Sequence, residues 1–240
     1  MGRGRILRRV GAAMAAVLLM ANTPVESPEA LMAEGKEAEA FALVAERAAT
    51  GDAIASAQLA WFYENGRVVN ADAVRAAELY RKAAEQGDAY SRWRLGVMID
   101  EGLAAGDTGE AVALFKQATH DGLTSAMNSL AVMYAMGRGV EQDYAMARTY
   151  YDMAARQGDH HGIQGLGVLY SRGEGVEKDP IEATAYWLIA RQMGNEPAGS
   201  YFDGASASLS DEEKAQVLKR AREIAYELGL SGPPPEDAEG

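Results

Sequence analysis

Three groups of residues have types and spacing that invite a chemical reading. Gly137-x-Gly139 and Gly173-x-Gly175 offer paired glycines, the kind that let backbone amides close around a phosphate. A dinucleotide-binding turn follows a strand and carries a later glycine; neither pair has these, and both sit at the turn of an internal repeat. His160 and His161 stand beside Asp159, with His120 apart from them. A transition-metal site there needs more ligands from elsewhere in the chain, and the alternative is ordinary loop histidines. The aromatic pairs Tyr150-Tyr151 and Tyr186-Trp187 recur at fixed positions and read as packing. The absence of cysteine excludes thiolate metal sites, Cys nucleophiles, disulfides and a lipidated N-terminal Cys. No His-Glu-x-x-His, Gly-x-Ser-x-Gly, Ser-x-x-Lys or Walker pattern occurs. The sequence therefore points to a noncatalytic protein with no metal and no cofactor.

The elements that must position any binding residues are set by a repeat. Leu59, Leu95, Leu130 and Leu166 lie 36, 35 and 36 residues apart, and each opens a similar segment. Each unit reads as two helices. Leu59 and Tyr63 share one face of the first, and Ala76, Tyr80, Ala83 and Ala84 follow helical spacing in the second. Small residues beside the leucines (Ala60, Gly96, Ala131, Gly167) let the second helix approach closely. Gly66, Gly102, Gly137 and Gly173 end the first helices, where a left-handed residue closes a helix at little steric cost. Asp72, Asp107, Asp143 and Asp179 suit N-caps of the second helices, and Pro180 suits a first helical position. Glu110 and Glu182, three residues on, are expected to complete capping boxes. A single pair of helices leaves its apolar face bare, so neighbouring units must stack.

Composition bounds the remaining possibilities. The chain has 240 residues, 46 of them Ala, with 24% charged residues and a net charge of -12. That balance disfavours nucleic acid, since phosphate contacts need clustered Lys and Arg. A mean hydropathy of -0.22 rules out a polytopic membrane protein. Four arginines within Met1–Arg9 precede an apolar run from Val10 to Ala21, which matches a secretory signal. At about 1.5 Å per residue the run falls short of a ~30 Å hydrocarbon core. Cleavage after Ala21 leaves no stable membrane span and sends the chain to the periplasm. The alternatives are secretion, an uncleaved N-terminal anchor, or a cytoplasmic protein with a mis-set start.

The expected organisation is thus a signal peptide at 1–21, a linker and short leading helix at 22–35, and a solenoid at 36–195. Capping helices follow at 196–229, with a capping box at Ser210–Glu213, and a disordered acidic tail fills 230–240.

The string Leu-Gly-x-x-Tyr-x-x-Gly-x-Gly-Val-x-x-Asp, then Ala, an aromatic pair and Ala-Ala-x-x-Gly, runs nearly whole through Leu130–Gly158 and Leu166–Gly194. It resembles the Sel1-like repeat, a tetratricopeptide-related module. The resemblance implies an all-α fold, a right-handed α-solenoid of helix-turn-helix repeats, used as a protein-binding scaffold and frequent in bacterial envelopes. The second copy departs from the pattern, with Ile99 for the Tyr and Gly102-Leu-Ala-Ala-Gly106 at its turn. First helices in such folds line the concave side. The surface columns that vary between copies there include Trp61, Glu64, Trp93, Asp100, Asn128 and Gln164. Trp93, flanked by Arg92 and Arg94, is the expected anchor for a protein or peptide partner. The alternative is that Trp93 and Trp61 cover neighbouring repeats. The leading expectation is a noncatalytic periplasmic scaffold or regulator. A secreted effector contacting host proteins and a cell-wall hydrolase are the competing readings.

Overall fold

The computed structural model describes residues 27–232. Among these are twelve helices and no strand. They are α1 (Pro28–Ala33), α2 (Glu37–Ala49), α3 (Ala53–Asn65), α4 (Ala73–Glu85), α5 (Ala89–Asp100) and α6 (Thr108–His120). The second half holds α7 (Thr124–Met136), α8 (Tyr144–Arg156), α9 (His160–Arg172), α10 (Pro180–Gln192), α11 (Glu196–Ser206) and α12 (Asp211–Glu227). The signal peptide expected at 1–21 and the greater part of the tail expected at 230–240 lie outside the described residues. No helix among the described residues is long and apolar enough to cross a membrane.

The helices pack as consecutive pairs, α3 with α4 through α9 with α10, and each pair stacks on the next to form an α-solenoid. The four repeat leucines occupy equivalent buried places, Leu59 being the most exposed at 8%. Opposite them, Ala76, Ala111, Ala147 and Ala183 of the second helices are buried as well. The small residues beside the leucines set how closely the helices approach. A Cβ on Gly96 would meet the Phe115 ring at 2.6 Å, and one on Gly167 would meet the Trp187 indole at 2.5 Å.

Local chemistry ends and starts each helix. Gly66, Gly137 and Gly173 cap α3, α7 and α9 in the left-handed conformation, with φ of 62°, 66° and 73°. Asp72, Asp107, Asp143 and Asp179 each accept a backbone amide at the start of the second helices. Asp52, Asp88 and Asp159 do the same for first helices, so the Asp159 carboxylate beside the histidines serves α9.

The capping boxes expected at Glu110 and Glu182 do not form. The amide of Asp179 instead donates to Tyr170 O at 3.0 Å, across the turn from the preceding helix. Both glutamates turn instead to arginines of other units: Glu110 to Arg81, and Glu182 to Arg220 of α12. Ser210 and Glu213 do form a reciprocal box at the start of α12.

α12 closes the C-terminal end by packing on α10 and burying Val217, Ala221 and Ile224. Arg220 ties the two helices together, holding Glu182 through both Nε and Nη2, at 2.5 and 2.9 Å, and reaching Glu223 and Glu227 as well. Glu182 is only 8% exposed. Arg220→Ala would strand that carboxylate, and the expected loss is about 2 kcal/mol, scaled down because the arginine itself is partly solvated. Urea unfolding should show the loss, and an unchanged midpoint would mean that the bridge contributes nothing net.

Candidate protein-binding face

The stacked first helices α3, α5, α7 and α9 form one side of the solenoid. Among neighbouring members, α5 touches α7 and α7 touches α9.

Several of the residues singled out from the sequence are held by a neighbouring repeat. Trp93 is half-buried, donates from Nε1 to Ser129 Oγ of α7 at 3.0 Å and packs against Tyr90. Arg94 covers the Trp93 ring, its guanidinium carbon 5.2 Å from the centroid, and forms an ion pair with Glu64. Glu64 also accepts from the Tyr80 hydroxyl at 2.8 Å. Arg92 reaches Asp121 at 2.5 Å and the Ala84 carbonyl at 3.3 Å. Asp100 pairs with Arg138. Gln164 accepts from the Asn195 amide at 3.1 Å, and that amide nitrogen also lies 3.0 Å from His160 Nδ1. The Trp93–Ser129, Arg94–Glu64 and Asp100–Arg138 contacts join residues about one repeat apart and fix repeat to repeat, whereas Glu64–Tyr80 and Arg92–Asp121 lie within a unit. Asn128 differs: its Oδ1 is buried without a hydrogen-bond partner.

The structure brings together a second set that the sequence reading missed apart from Trp61. An apolar cleft of about 550 Å³ opens at the N-terminal end of the first-helix side, walled by Met32, Val44, Ile54, Ala57, Trp61, Phe62 and Tyr90. Ile54 is 67% exposed and Tyr90 40% exposed, high values for side chains this apolar. Glu29, Gln58 and Asp88 supply its polar groups. Glu29 accepts from Gln58 Nε2 at 2.5 Å. Hydrogen bonds from its own backbone amide and from Ser27 hold its carboxyl below the usual range. A sequence signal for this cleft exists: Ile54 and Tyr90 both stand five residues before a repeat leucine, where the later copies carry Ser125 and His161.

This side offers apolar area, aromatic edges and a few fixed polar atoms, groups of the kind that interfaces use. Among the described residues, no three His, Asp or Glu side chains stand together as a metal site.

This architecture is that of a helical repeat scaffold, and the comparisons agree. The chain belongs to the Sel1 repeat family, whose model matches residues 53–88, 89–123, 124–159 and 161–195, more than half of its length. Each matched segment is one helix pair of the solenoid. A Sel1 repeat protein from Oxalobacter formigenes shares the fold with a TM-score of 0.68 at 24% identity, covering 88% of this chain and 92% of that one. A protective antigen of uropathogenic Escherichia coli strains with an SLR fold is 30% identical over 79% of this chain, with a TM-score of 0.62. The chain spans only 42% of that antigen. A sel1 repeat protein from Klebsiella pneumoniae has a TM-score of 0.51 at 23% identity, covering 75% of this chain and 89% of that one. No curated protein matches the sequence. Sel1 repeat proteins are in general protein-interaction scaffolds.

Proposed function

We propose that the protein is a noncatalytic scaffold or regulator of the bacterial envelope that binds a protein or peptide along its first-helix face, after export by residues 1–21. The observation that carries this reading is the contrast between the two sets of residues on that face. Ion pairs and caps hold its charged rim rigid, while its apolar cleft and the Asn128 Oδ1 are left without partners. A prearranged surface with unsatisfied binding capacity suits recognition. The Escherichia coli neighbour is described as a protective antigen, which favours a second reading, a secreted or surface effector.

Ala135, at the repeat position that Glu64 and Asp100 hold in earlier copies and half-buried in the last turn of α7, gives the test, since an arginine there suits the helix dipole. Affinity capture from envelope extracts should recover a partner with the wild-type chain and lose it at least tenfold with Ala135→Arg. Val74→Arg, at an exposed second-helix position, should leave recovery unchanged. Equal recovery with all three chains would remove the first-helix face from the account. Recovery in culture medium rather than in the envelope would favour the effector.

A further inference from the structure

The cleft at the N-terminal end takes a particular kind of occupant. Its walls are nearly all carbon, from Met32, Val44, Ile54, Trp61, Phe62 and Tyr90. A space of about 550 Å³ is large enough for more than one bulky side chain, and it opens to solvent beside an exposed isoleucine. Burying the open faces of Ile54 and Tyr90 gives the apolar part of the affinity, at roughly 25 cal/mol per Å² removed from water.

The charged side chains that line the cleft, Glu29 and Asp88, are both carboxylates. Of the arginines around it, Arg92 and Arg94 are already paired with Asp121 and Glu64, and Arg47 acts on Glu29 through space without forming an ion pair with it. Glu29 and Asp88, on the cleft itself, have no ion-pair partner among the described residues. Glu29 takes uncharged hydrogen bonds, from Gln58, from Ser27 and from its own backbone amide, and Asp88 caps α5 through the Ser91 amide at 2.7 Å. Two carboxylates flanking an apolar slot, in a chain of net charge -12, favour a cation beside the apolar group. A small polar ligand would find almost no free hydrogen-bonding group in the walls, so a macromolecular segment fits better.

We infer that this cleft docks a cationic amphipathic segment of a partner protein, its aliphatic or aromatic side chains seated between Ile54, Trp61 and Tyr90 and its lysines or arginines beside Glu29 and Asp88. The inference rests on the scaffold reading and supplies the chemistry of its ligand. The apolar anchor sets the depth of docking, and the flanking cations set its direction along the first-helix face.

The probe is a labelled 14-residue synthetic peptide with Leu and Phe at helical spacing and four lysines. It is titrated against the full chain by fluorescence anisotropy, beside a twin in which glutamates replace the lysines. The lysine peptide should bind at least tenfold more tightly than its twin and weaken as salt rises. Ile54→Gln should weaken it about tenfold, with circular dichroism unchanged because Ile54 is largely exposed. Glu29→Gln should weaken it about threefold and flatten the salt dependence. Equal binding of the two peptides, or no effect of either variant, overturns the inference. Binding that appears only when residues 1–21 are removed would assign the cleft to the chain's own N-terminal segment and overturn it too. So would a dimer in sedimentation that Ile54→Gln dissolves. If the peptide fails while capture remains sensitive to Ala135→Arg, the scaffold reading stands and only the cleft assignment falls.

Discussion

Gly139→Ala is expected to destabilise the protein by about 3 kcal/mol, the sum of left-handed backbone strain and overpacking. Gly139 has φ of 68°, in the left-handed region. A Cβ there would lie 2.3 Å from Thr108 O and 2.6 Å from Thr108 C, backbone atoms at the start of α6 in the preceding unit. Neither atom can rotate away, so two repeats would have to separate. Gly175 repeats the arrangement one unit on, where its Cβ would meet Tyr144 Cβ at 2.6 Å at the start of α8. Gly137 is the control: it shares the left-handed backbone, but its Cβ would meet only Gln142 Cβ at 3.2 Å and the Gln142 backbone further off. Gly137→Ala should therefore cost about 1 kcal/mol, mostly conformational strain. The first copy carries Val68 in the left-handed region at this point of its turn, with φ of 68°. Val68→Gly should relieve a β-branched residue of that strain and raise the denaturation midpoint slightly. Chemical denaturation of the four chains measures all of this. Gly139→Ala no worse than Gly137→Ala would show that the close contact with Thr108 does not set repeat spacing.

The second large effect is alkaline unfolding. Tyr80, Tyr151 and Tyr186 have hydroxyls pushed up in pKa, in each case first by burial. For Tyr186 the nearby Glu182 carboxylate adds to the effect, and Tyr151 rises to about 12. Burial favours the neutral form, so the folded chain keeps protons that the unfolded chain releases near pH ~10. The stabilisation is fully present below that pH and is lost as pH rises through the folded values. Each tyrosine costs about 1.4 kcal/mol per pH unit in that window, or roughly 4 kcal/mol per unit for the three. Urea midpoints measured from pH 8 to 12 should stay level to about pH 10 and then fall steeply. Tyr151→Phe should remove about a third of that slope. A midpoint independent of pH up to 12 would mean that these hydroxyls reach water in the folded state.

Much of the fold was legible because its signals are local. The leucine period, the left-handed glycines, the aspartate caps and the small residues beside the leucines each act within one repeat or across one helix pair. Glu110 and Glu182 were misread for the complementary reason. Their spacing from Asp107 and Asp179 is that of a capping box, but Arg81 and Arg220 come from other units and win the carboxylates. The candidate binding residues show the same limit. Arg92, Arg94, Glu64 and Asp100 look like free charges along the chain, and only the stacking of repeats reveals that they pair with one another or with Asp121 and Arg138. The apolar cleft needs walls from α1, α2, α3 and α5 at once, although its most exposed side chains, Ile54 and Tyr90, do share one repeat column.

Site-specific photo-crosslinking in cells tests the functional claim most directly. A crosslinking amino acid is placed at 54, 135 and 171 on the first helices, and at 74 and 153 on the second. The account predicts one common protein adduct from the first three positions and none from the other two. Adducts formed from 74 and 153 with none from the first-helix positions would contradict it.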